Sequence, residues 1–300
     1  MKHKKSFLIF LLLLAFAVCF VSSAPIPPAT DREGNQITLP EKIETIISMG
    51  PSNTEILVDL GYGDKIIATD TYSANVNGIN PDIPMFSMIA PDGEQIIDLQ
   101  PDVIFVTGMS RAGGEDLFKV VKDVGICVIY IPSSYSIEEI KEDIRYIAAV
   151  LGSESQAEEL IAEMEAEIEA VHTIAETITD KKTVYFEISA APNMYSFGRG
   201  VFLNEMIELI GAENVLADQD SWISVADEVV LDANPDVILT SVNYIEDPVA
   251  EIKTRPGWST ISAVQNDEVF YIDTDSSNRP SHHILKALKE MAVAVYPDKY

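Results

Sequence analysis

The chain has 300 residues, of which 48 are acidic and 20 are basic, and its formal net charge is −28 at pH 7. A surface this acidic repels nucleic-acid phosphates and anionic membranes, which argues against a nucleic-acid-binding function. The length suits two lobes of ordinary size, each able to bury its own core.

The N-terminal segment has the pattern of a secretory signal. Lys2, Lys4 and Lys5 precede an apolar run from Phe7 to Val21. This run is shorter than the roughly 20 residues that a membrane-spanning helix needs. We therefore predict a signal peptide over residues 1–24, and with it export to the periplasm or the cell surface. Cys19 leaves a lipid anchor open, and an uncleaved anchor or release of the mature chain are the alternatives.

Residues 25–36 contain several prolines and are predicted to form an extended leader. Residues 37–152 alternate between apolar strand patterns and helical patterns, which is typical of a parallel, doubly wound sheet. A long polar loop from Asp70 to Gly93 interrupts them, and Ser52 or Asn53 is the predicted cap of the first helix. The predicted strands are 37–40, 43–48, 65–69, 103–107 and 126–131, and the predicted helices are 53–61, 94–100, 115–124 and 137–151.

Residues 153–180 are assigned to a linking helix. Apolar residues recur at spacings of three and four from Ala157 to Ile178, which is the period of one helix face. Ser153 and Gln156 have the spacing of a capping box at its start.

Residues 181–300 are predicted to form a second α/β lobe. Pro280 is interpreted as a start signal for the last helix. The predicted strands are 183–188, 237–240 and 269–272, and the predicted helices are 201–210, 225–234 and 284–295.

Similar sequences occur on both sides of the linking helix. The pattern E-x3-D-x2-P-D-V-I occurs at residues 94–104 and again at residues 228–238. A second pair consists of the segments 55–61 and 205–211, each of which begins with Glu and ends with Gly. The simplest architecture that explains this repeat is an α/β fold of two similar lobes with mainly parallel sheets, bridged by one long α-helix.

Residues with catalytic or metal-binding chemistry are few. His3 falls in the signal, His172 in the linking helix, and His282 and His283 at the start of the last helix. The first lobe thus supplies no histidine to a metal site between the lobes. We interpret His282 and His283 as a solvated pair, although they could offer one axial ligand to a chelated metal.

No nucleophile elbow, metalloprotease motif or phosphate-binding loop is present in the sequence. We therefore predict no enzymatic activity and no intrinsic cofactor. Cys127 lies in an apolar run and is interpreted as a buried structural residue.

The loops after the predicted strands carry aromatic and polar side chains. In open α/β sheets, ligands bind beyond the carboxyl ends of the strands. Aromatic rings with a few polar groups suit a large, flat, partly apolar ligand, and Trp222 is the strongest candidate because its surroundings are polar. The candidates are Ser52, Asn53, Tyr72, Arg111, Tyr195, Arg199, Trp222 and Tyr244, with Met109 and Asn243 beside them.

The sequence resembles the substrate-binding proteins of the iron-siderophore and vitamin B12 class of ABC importers, a class III periplasmic-binding-protein-like group with a helical backbone. The resemblance covers about residues 31–297. It rests on the segment IISMGPSNTEIL at 46–57, the two P-D-V-I segments, Trp222 six residues before Glu228, RPGW at 255–258, and Arg279 followed by Pro280.

This resemblance implies a monomeric, non-enzymatic receptor. It would capture a small-molecule metal chelate between two lobes and deliver it to a membrane-embedded ABC permease dimer. In the family, one glutamate at the tip of each lobe docks into arginines of the permease. Glu94 and Glu228 occupy the matching positions and lie at equivalent points of the repeat.

The resemblance leaves the chelate open. Aromatic residues near the positions of Tyr72, Met88, Tyr195 and Trp222 enclose the corrin in cobalamin-binding members, which we favour slightly, although Met88 is not aromatic. Ferric-siderophore members use arginines, for which Arg111, Arg199 and Arg279 are candidates. A haem receptor of the same family is an alternative, and so is a surface or adhesion protein on the same fold.

Overall fold

The computed structural model describes residues 27–111 and 114–300. The predicted signal peptide and Cys19 lie outside the described residues. Among the helices that are described, none combines the length and the hydropathy needed to cross a membrane.

The first lobe is built on a five-stranded parallel sheet. Its strand order is β3-β2-β1-β4-β5. Both faces of this sheet are covered, so β1 and β4 are almost wholly buried and have the continuous apolar sequences of such strands. The strands are β1 (Ile46–Met49), β2 (Ile66–Asp70), β3 (Met85–Phe86), β4 (Val103–Thr107) and β5 (Cys127–Ile131). The helices are α1 (Pro51–Leu57), α2 (Gly93–Asp98), α3 (Lys119–Asp123) and α4 (Ile137–Leu151).

The segment assigned to the linking helix contains α5 (Glu154–Ala175), which has 22 residues and ends three residues before Ile178. At about 1.5 Å per residue it is roughly 33 Å long. Its buried side chains, Ala157, Ile161, Met164, Val171 and Ala175, face the rest of the molecule. The capping-box prediction is wrong, because the Ser153 side chain makes no capping bond and its Oγ has no hydrogen-bond partner in the part of the chain that the structure describes.

The second lobe has a four-stranded parallel sheet and a small antiparallel ribbon. The sheet order is β11-β10-β6-β8, and β7 pairs with β9. The strands are β6 (Thr183–Glu187), β7 (Tyr195–Phe197), β8 (Glu213–Asn214), β9 (Trp222–Ser224), β10 (Val237–Thr240) and β11 (Val269–Tyr271). The helices are α6 (Phe202–Leu209), α7 (Asp227–Ala233), α8 (Pro248–Thr254), α9 (Ser262–Gln265), α10 (Thr274–Asn278) and α11 (Ile284–Val295).

The sequence repeat is present in the topology. The order β2-β1-β4-β5 in the first lobe corresponds to β8-β6-β10-β11 in the second. Asp102 Oδ2 accepts hydrogen bonds from Thr45 N at 2.9 Å and Thr45 Oγ1 at 3.1 Å. Asp236 Oδ2 accepts the same pair from Thr183, at 2.8 and 2.7 Å. The aspartate of each P-D-V-I segment therefore fixes the start of the neighbouring strand.

The second repeated segment is explained by how two helices end. Gly61 and Gly211 follow α1 and α6 with φ angles of 89° and 84°. This left-handed conformation is strained for residues with a Cβ, so glycine is favoured at both helix ends.

Four local predictions are wrong. Residues 37–40 form no strand, and Gln36 instead makes an isolated bridge to Thr30. Neither Ser52 nor Asn53 caps α1, because the helix begins at Pro51 and proline already supplies a favourable first turn. The helix expected over 115–124 shortens to α3. Pro280 does not start α11, which has His283 at its N-cap.

One hydrophobic core extends from the first lobe into the second. It includes Ile46 and Phe105 of the first sheet, Met164 of the linking helix, and Phe186 and Leu239 of the second sheet. A continuous packed core resists relative movement of the lobes.

Candidate functional site

A cleft of about 590 Å³ lies between the carboxyl ends of the two sheets. Residues that follow β1, β2, β4 and β5 form its first-lobe wall, and residues around β9, β10 and α10 form the opposite wall. This is the position in which open α/β sheets bind ligands.

Six of the predicted site residues line this cleft: Ser52, Asn53, Tyr72, Met88, Trp222 and Arg279. Met109 and Asn243 also line it. The sequence analysis missed Phe202, Thr274, Asp275, Asn278 and the segment 132–135. The segment 132–135 directly follows β5, so the rule of carboxyl ends could have found it. Phe202 and the α10 residues carry no such signal, because they come from helices.

Four predicted residues are not among the described residues that line the cleft: Arg111, Tyr195, Arg199 and Tyr244. Arg111 stacks on the Tyr130 ring at 4.0 Å, and its Nε lies 3.1 Å from Glu33 Oε2. Arg199 Nε donates to Asp220 Oδ1 at 2.7 Å. The Tyr244 hydroxyl accepts a hydrogen bond from Ala190 N at 2.8 Å. These contacts hold the three side chains against residues of the same half of the molecule.

Aromatic side chains lie on both walls, and two thioether side chains lie on the first-lobe wall. Trp222 is half-buried and packs edge-on against the Phe197 ring, with the ring centroids 5.9 Å apart. Tyr72 is 65% exposed and Met109 is 53% exposed on the first-lobe side. Large apolar side chains exposed within a cavity mark a surface for an apolar partner or ligand.

Among the described residues that line the cleft, Arg279 is the one with a full positive charge. Its Nη1 donates to Glu55 Oε1 at 2.9 Å, and its Nη2 donates to the Tyr72 carbonyl at 2.9 Å and lies 2.8 Å from Asp275 Oδ1. Asp143 is also in the wall, where burial raises the pKa of its carboxyl and Arg32 Nε donates to it at 2.8 Å. The described lining therefore presents no unpaired cation to a ligand.

Glu55 joins the two lobes beside the cleft. Ser281 Oγ donates to its Oε2 at 2.5 Å, in addition to the bond from Arg279. Burial raises the pKa of Glu55, but hydrogen bonds from His283, Ser281 and Arg279 outweigh it and lower the pKa below its ordinary value. Glu55 is therefore held as a carboxylate at the interlobe boundary.

The two histidines are placed behind the cleft. His282 Nε2 lies 2.6 Å and His283 Nε2 lies 2.9 Å from the same atom, Asp59 Oδ2. The interpretation as a solvated pair is wrong for His282, which is only 7% exposed. Neither imidazole lines the cleft. This pair therefore offers no axial ligand to a metal bound in the cleft.

Glu94 and Glu228 lie at equivalent points of the two lobes. Each is exposed and occupies the first turn of its helix, α2 or α7. A negative side chain is favourable in a first helical turn, so these positions hold acidic groups at the surface of both lobes.

Comparison with known proteins places this geometry in a family. The profile described as periplasmic binding protein matches residues 46–276. An uncharacterized ABC transporter substrate-binding lipoprotein of Bacillus subtilis, YvrC, is 32% identical over 280 residues, covering 91% of this chain and 87% of its own. A vitamin B12-binding protein of Vibrio cholerae is 27% identical and covers 84% of this chain and 89% of its own.

A solved structure agrees with these relatives. A possible iron-binding, periplasmic solute-binding protein from Staphylococcus epidermidis superposes with a TM-score of 0.76 at 30% identity, over 85% of this chain and all of its own. The two-lobed fold with mainly parallel sheets and the family expected from the sequence are both confirmed. The chain belongs to the periplasmic binding protein family, as a substrate-binding protein of the ABC-importer type rather than an enzyme.

Proposed function

We propose that this protein is an extracytoplasmic receptor that captures a corrinoid of the cobalamin class in the interlobe cleft and delivers it to an ABC permease dimer. The observation that carries the choice of ligand is the cleft wall, in which Tyr72, Met88 and Trp222 surround a space where the described residues present no unpaired cation. A corrinoid is large and flat, with apolar faces and amide groups at its edge.

The charges favour a corrinoid over an anionic ferric siderophore. Recognition of a strongly anionic chelate needs unpaired positive side chains. Arg279 is already paired with Glu55, and Arg111 and Arg199 are paired outside the cleft. Asp143 and Asp275 add acidic groups to the lining.

Polar groups in the walls suit the amide-bearing edge of such a ligand. Asn53 and Thr107 line the cleft, and their Nδ2 and Oγ1 atoms are buried without a hydrogen-bond partner among the described residues. Asn243 is exposed on the second-lobe side. The named vitamin B12-binding relative supports the same ligand class.

Haem is the second candidate. Tyr72 and Met109 are exposed in the cleft, and phenolate and thioether groups are both known axial ligands of haem iron. A haem receptor would therefore use the first-lobe wall as its source of an iron ligand.

The test is a fluorescence titration of the mature protein with cyanocobalamin, haem, a ferric hydroxamate and a ferric catecholate. Trp258 is fully buried in the second-lobe core, whereas Trp222 lines the cleft. Quenching by cyanocobalamin that disappears in Trp222→Phe, with binding retained in calorimetry, supports the proposal. Binding of haem alone selects the second candidate. A cleft that binds none of the four favours a surface or adhesion role outside transport.

We further propose that residues 37–152 and 181–300 act as the two lobes of a monomer, joined by residues 153–180, and that Glu94 and Glu228 dock into the permease. Export by residues 1–24 fits an extracytoplasmic receptor. The relative from Bacillus subtilis is named as a lipoprotein, which supports acylation of Cys19, with cleavage of the signal before Cys19 in place of cleavage after Ala24. Loss of labelling by a palmitate analogue in Cys19→Ala would support this anchor, and unchanged labelling would exclude it.

A further inference from the structure

A second cavity, of about 760 Å³, lies behind the cleft. Both lobes and the linking helix contribute to it, since Asp59 belongs to the first lobe, His282 and His283 to the second, and Glu167 to α5. Arg279 and Asp275 form the partition that it shares with the ligand cleft.

Three potential metal ligands converge in this cavity. One carboxylate oxygen of Asp59 and one ring nitrogen from each of His282 and His283 lie within 4.8 Å of one another. Imidazole nitrogen and carboxylate oxygen together suit first-row divalent metals such as Zn²⁺. The set differs from an acidic surface cluster, because two of its three members are imidazoles and one of these is buried.

The spacing needs only a small adjustment. Metal–ligand bonds of about 2.0–2.2 Å in a tetrahedral site place the ligand atoms roughly 3.3 Å apart. The two imidazole nitrogens now lie 2.6 and 2.9 Å from Asp59 Oδ2. An outward movement of the Asp59 carboxylate by about half an ångström would open this space. Its side chain is 38% exposed and faces the cavity, so it has room to move.

The surroundings orient the imidazoles as ligands. His283 Nδ1 lies 3.5 Å from Glu55 Oε2, which leaves its Nε2 directed at Asp59. A carboxylate behind the second ring nitrogen is the usual arrangement of a metal-binding histidine. His282 is 7% exposed, and its Nδ1 has no partner among the described residues. Among the described residues, the polar contact of this buried ring is therefore the one from Nε2 to Asp59, which lies within the cluster.

We propose that Asp59, His282 and His283 form a binding site for a divalent transition metal, separate from the chelate cleft. Solvent in the cavity would complete the coordination. Because the carboxylate comes from the first lobe and the imidazoles from the second, a bound ion joins the lobes directly. The ion is thus an effector that fixes the lobe arrangement, not the transported cargo.

The test uses the mature chain without a polyhistidine tag, freed of metals by a chelator. We expect Zn²⁺ to bind with 1:1 stoichiometry in calorimetry, and Co²⁺ to give the intense visible absorption of four-coordinate nitrogen and oxygen ligation. Binding should weaken at least tenfold in Asp59→Asn, His282→Gln and His283→Gln. His172→Gln is the matched control, because His172 lies on α5 outside this cavity and should leave binding unchanged.

Zn²⁺ affinity that is the same in the three variants as in the wild type would overturn the proposal, and so would a wild-type protein that binds no Zn²⁺. If a variant fails to fold, the wild-type Co²⁺ spectrum decides. Intense Co²⁺ absorption that disappears when Zn²⁺ is added supports the site. The weak absorption of hydrated Co²⁺ alone excludes it. Cyanocobalamin binding is measured separately, so failure of the metal site and failure of the proposed function give different results.

Discussion

Arg279 of the second lobe donates a hydrogen bond from Nη1 to Oε1 of Glu55 in the first lobe, at 2.9 Å. A matching contact runs in the opposite direction, because Glu205 of the second lobe accepts a hydrogen bond from Ile137 N at 2.9 Å. Glu55 and Glu205 begin the two copies of one repeated segment. Glu55 accepts a hydrogen bond from Ser281, which precedes α11, the last helix of the second lobe. Glu205 bonds to Ile137, which begins α4, the last helix of the first lobe.

The first prediction concerns the Glu55 contact. Glu55→Ala removes the carboxylate that pairs with Arg279 and Ser281, both of which are largely buried. We expect the free energy of unfolding to fall by about 3 kcal/mol, because Arg279 loses its buried carboxylate and keeps the more exposed Asp275 as its acidic partner. Chemical denaturation with urea measures this change.

Asp275→Ala is the matched control, because it removes the more exposed partner of the same arginine. Its loss should be about 1 kcal/mol or less. Equal losses in the two variants would show that the interlobe contact adds no stability beyond an ordinary surface pair.

The second prediction concerns the pH dependence at Glu205. Burial raises the pKa of Glu205, the carboxylates of Glu208 and Glu139 raise it further, and the Ile137 N–H only partly opposes them. The Glu205 carboxylate thus binds its proton more tightly in the folded protein than in the unfolded chain. Its contribution to stability is present below the unfolded pKa of about 4.3 and is lost as the pH rises through the higher folded pKa.

Glu205→Gln keeps an oxygen acceptor for Ile137 N and removes the titration. We expect the variant to gain free energy of unfolding over the wild type at pH 7.5 and to gain little at pH 4.5. Glu246→Gln, at an exposed position, is the control. A wild-type advantage at pH 7.5 would contradict the expected sign.

The third prediction separates residues inside the cleft from residues that only the sequence suggested. Trp222→Ala should weaken cyanocobalamin binding by about 2 kcal/mol, roughly thirtyfold in Kd, because it removes an aromatic anchor from the wall. Tyr244→Ala is the control, since Tyr244 is also a large aromatic side chain and is 65% exposed, but its hydroxyl bonds to Ala190 N outside the lining. Calorimetric titration measures both. A larger loss in Tyr244→Ala would mean that the ligand sits elsewhere.

Two sequence signals explain why predicted site residues line the cleft. Tyr72 and Asn53 follow strands whose apolar runs are unmistakable, so their place at a carboxyl end is readable from the sequence. Trp222 stood out by its polar surroundings. The sequence repeat also predicted two similar lobes. It is visible in the sequence because Asp102 and Asp236 make the same contact with a threonine in each copy.

The errors have a different cause, which is long-range pairing. Arg199 is held by Asp220 and Arg111 lies against Glu33, and no local spacing shows that these partners meet. The burial of His282 depends on Asp59, which is more than 200 positions away in the chain. Ser153 has the spacing of a capping residue, yet its hydroxyl is buried and bonds to none of the described residues. Periodicity reports which face is apolar, but not which polar groups become neighbours.

The fourth prediction concerns the movement of the lobes. The continuous core and the two reciprocal glutamate contacts should restrict closure, so cyanocobalamin should leave the radius of gyration unchanged within error in solution X-ray scattering. The double variant Glu55→Ala, Glu205→Ala is the comparison, and it should compact measurably on binding because it has lost both contacts. A large compaction of the wild type would refute the restriction.

The fifth prediction concerns the proposed docking residues. Glu94 and Glu228 are exposed on equivalent first turns, so a permease with two similar subunits can meet one carboxylate on each lobe. Glu94→Ala and Glu228→Ala should each reduce uptake of labelled cyanocobalamin by cells that carry the matching permease, and the double variant should reduce it further. Binding of cyanocobalamin by the purified variants should not change, because neither residue lines the cleft.

Glu163→Ala, an exposed position on α5, is the control and should leave uptake intact. Normal uptake by the double variant would exclude docking through these two carboxylates, whereas reduced uptake with equally reduced affinity would assign the effect to the cleft.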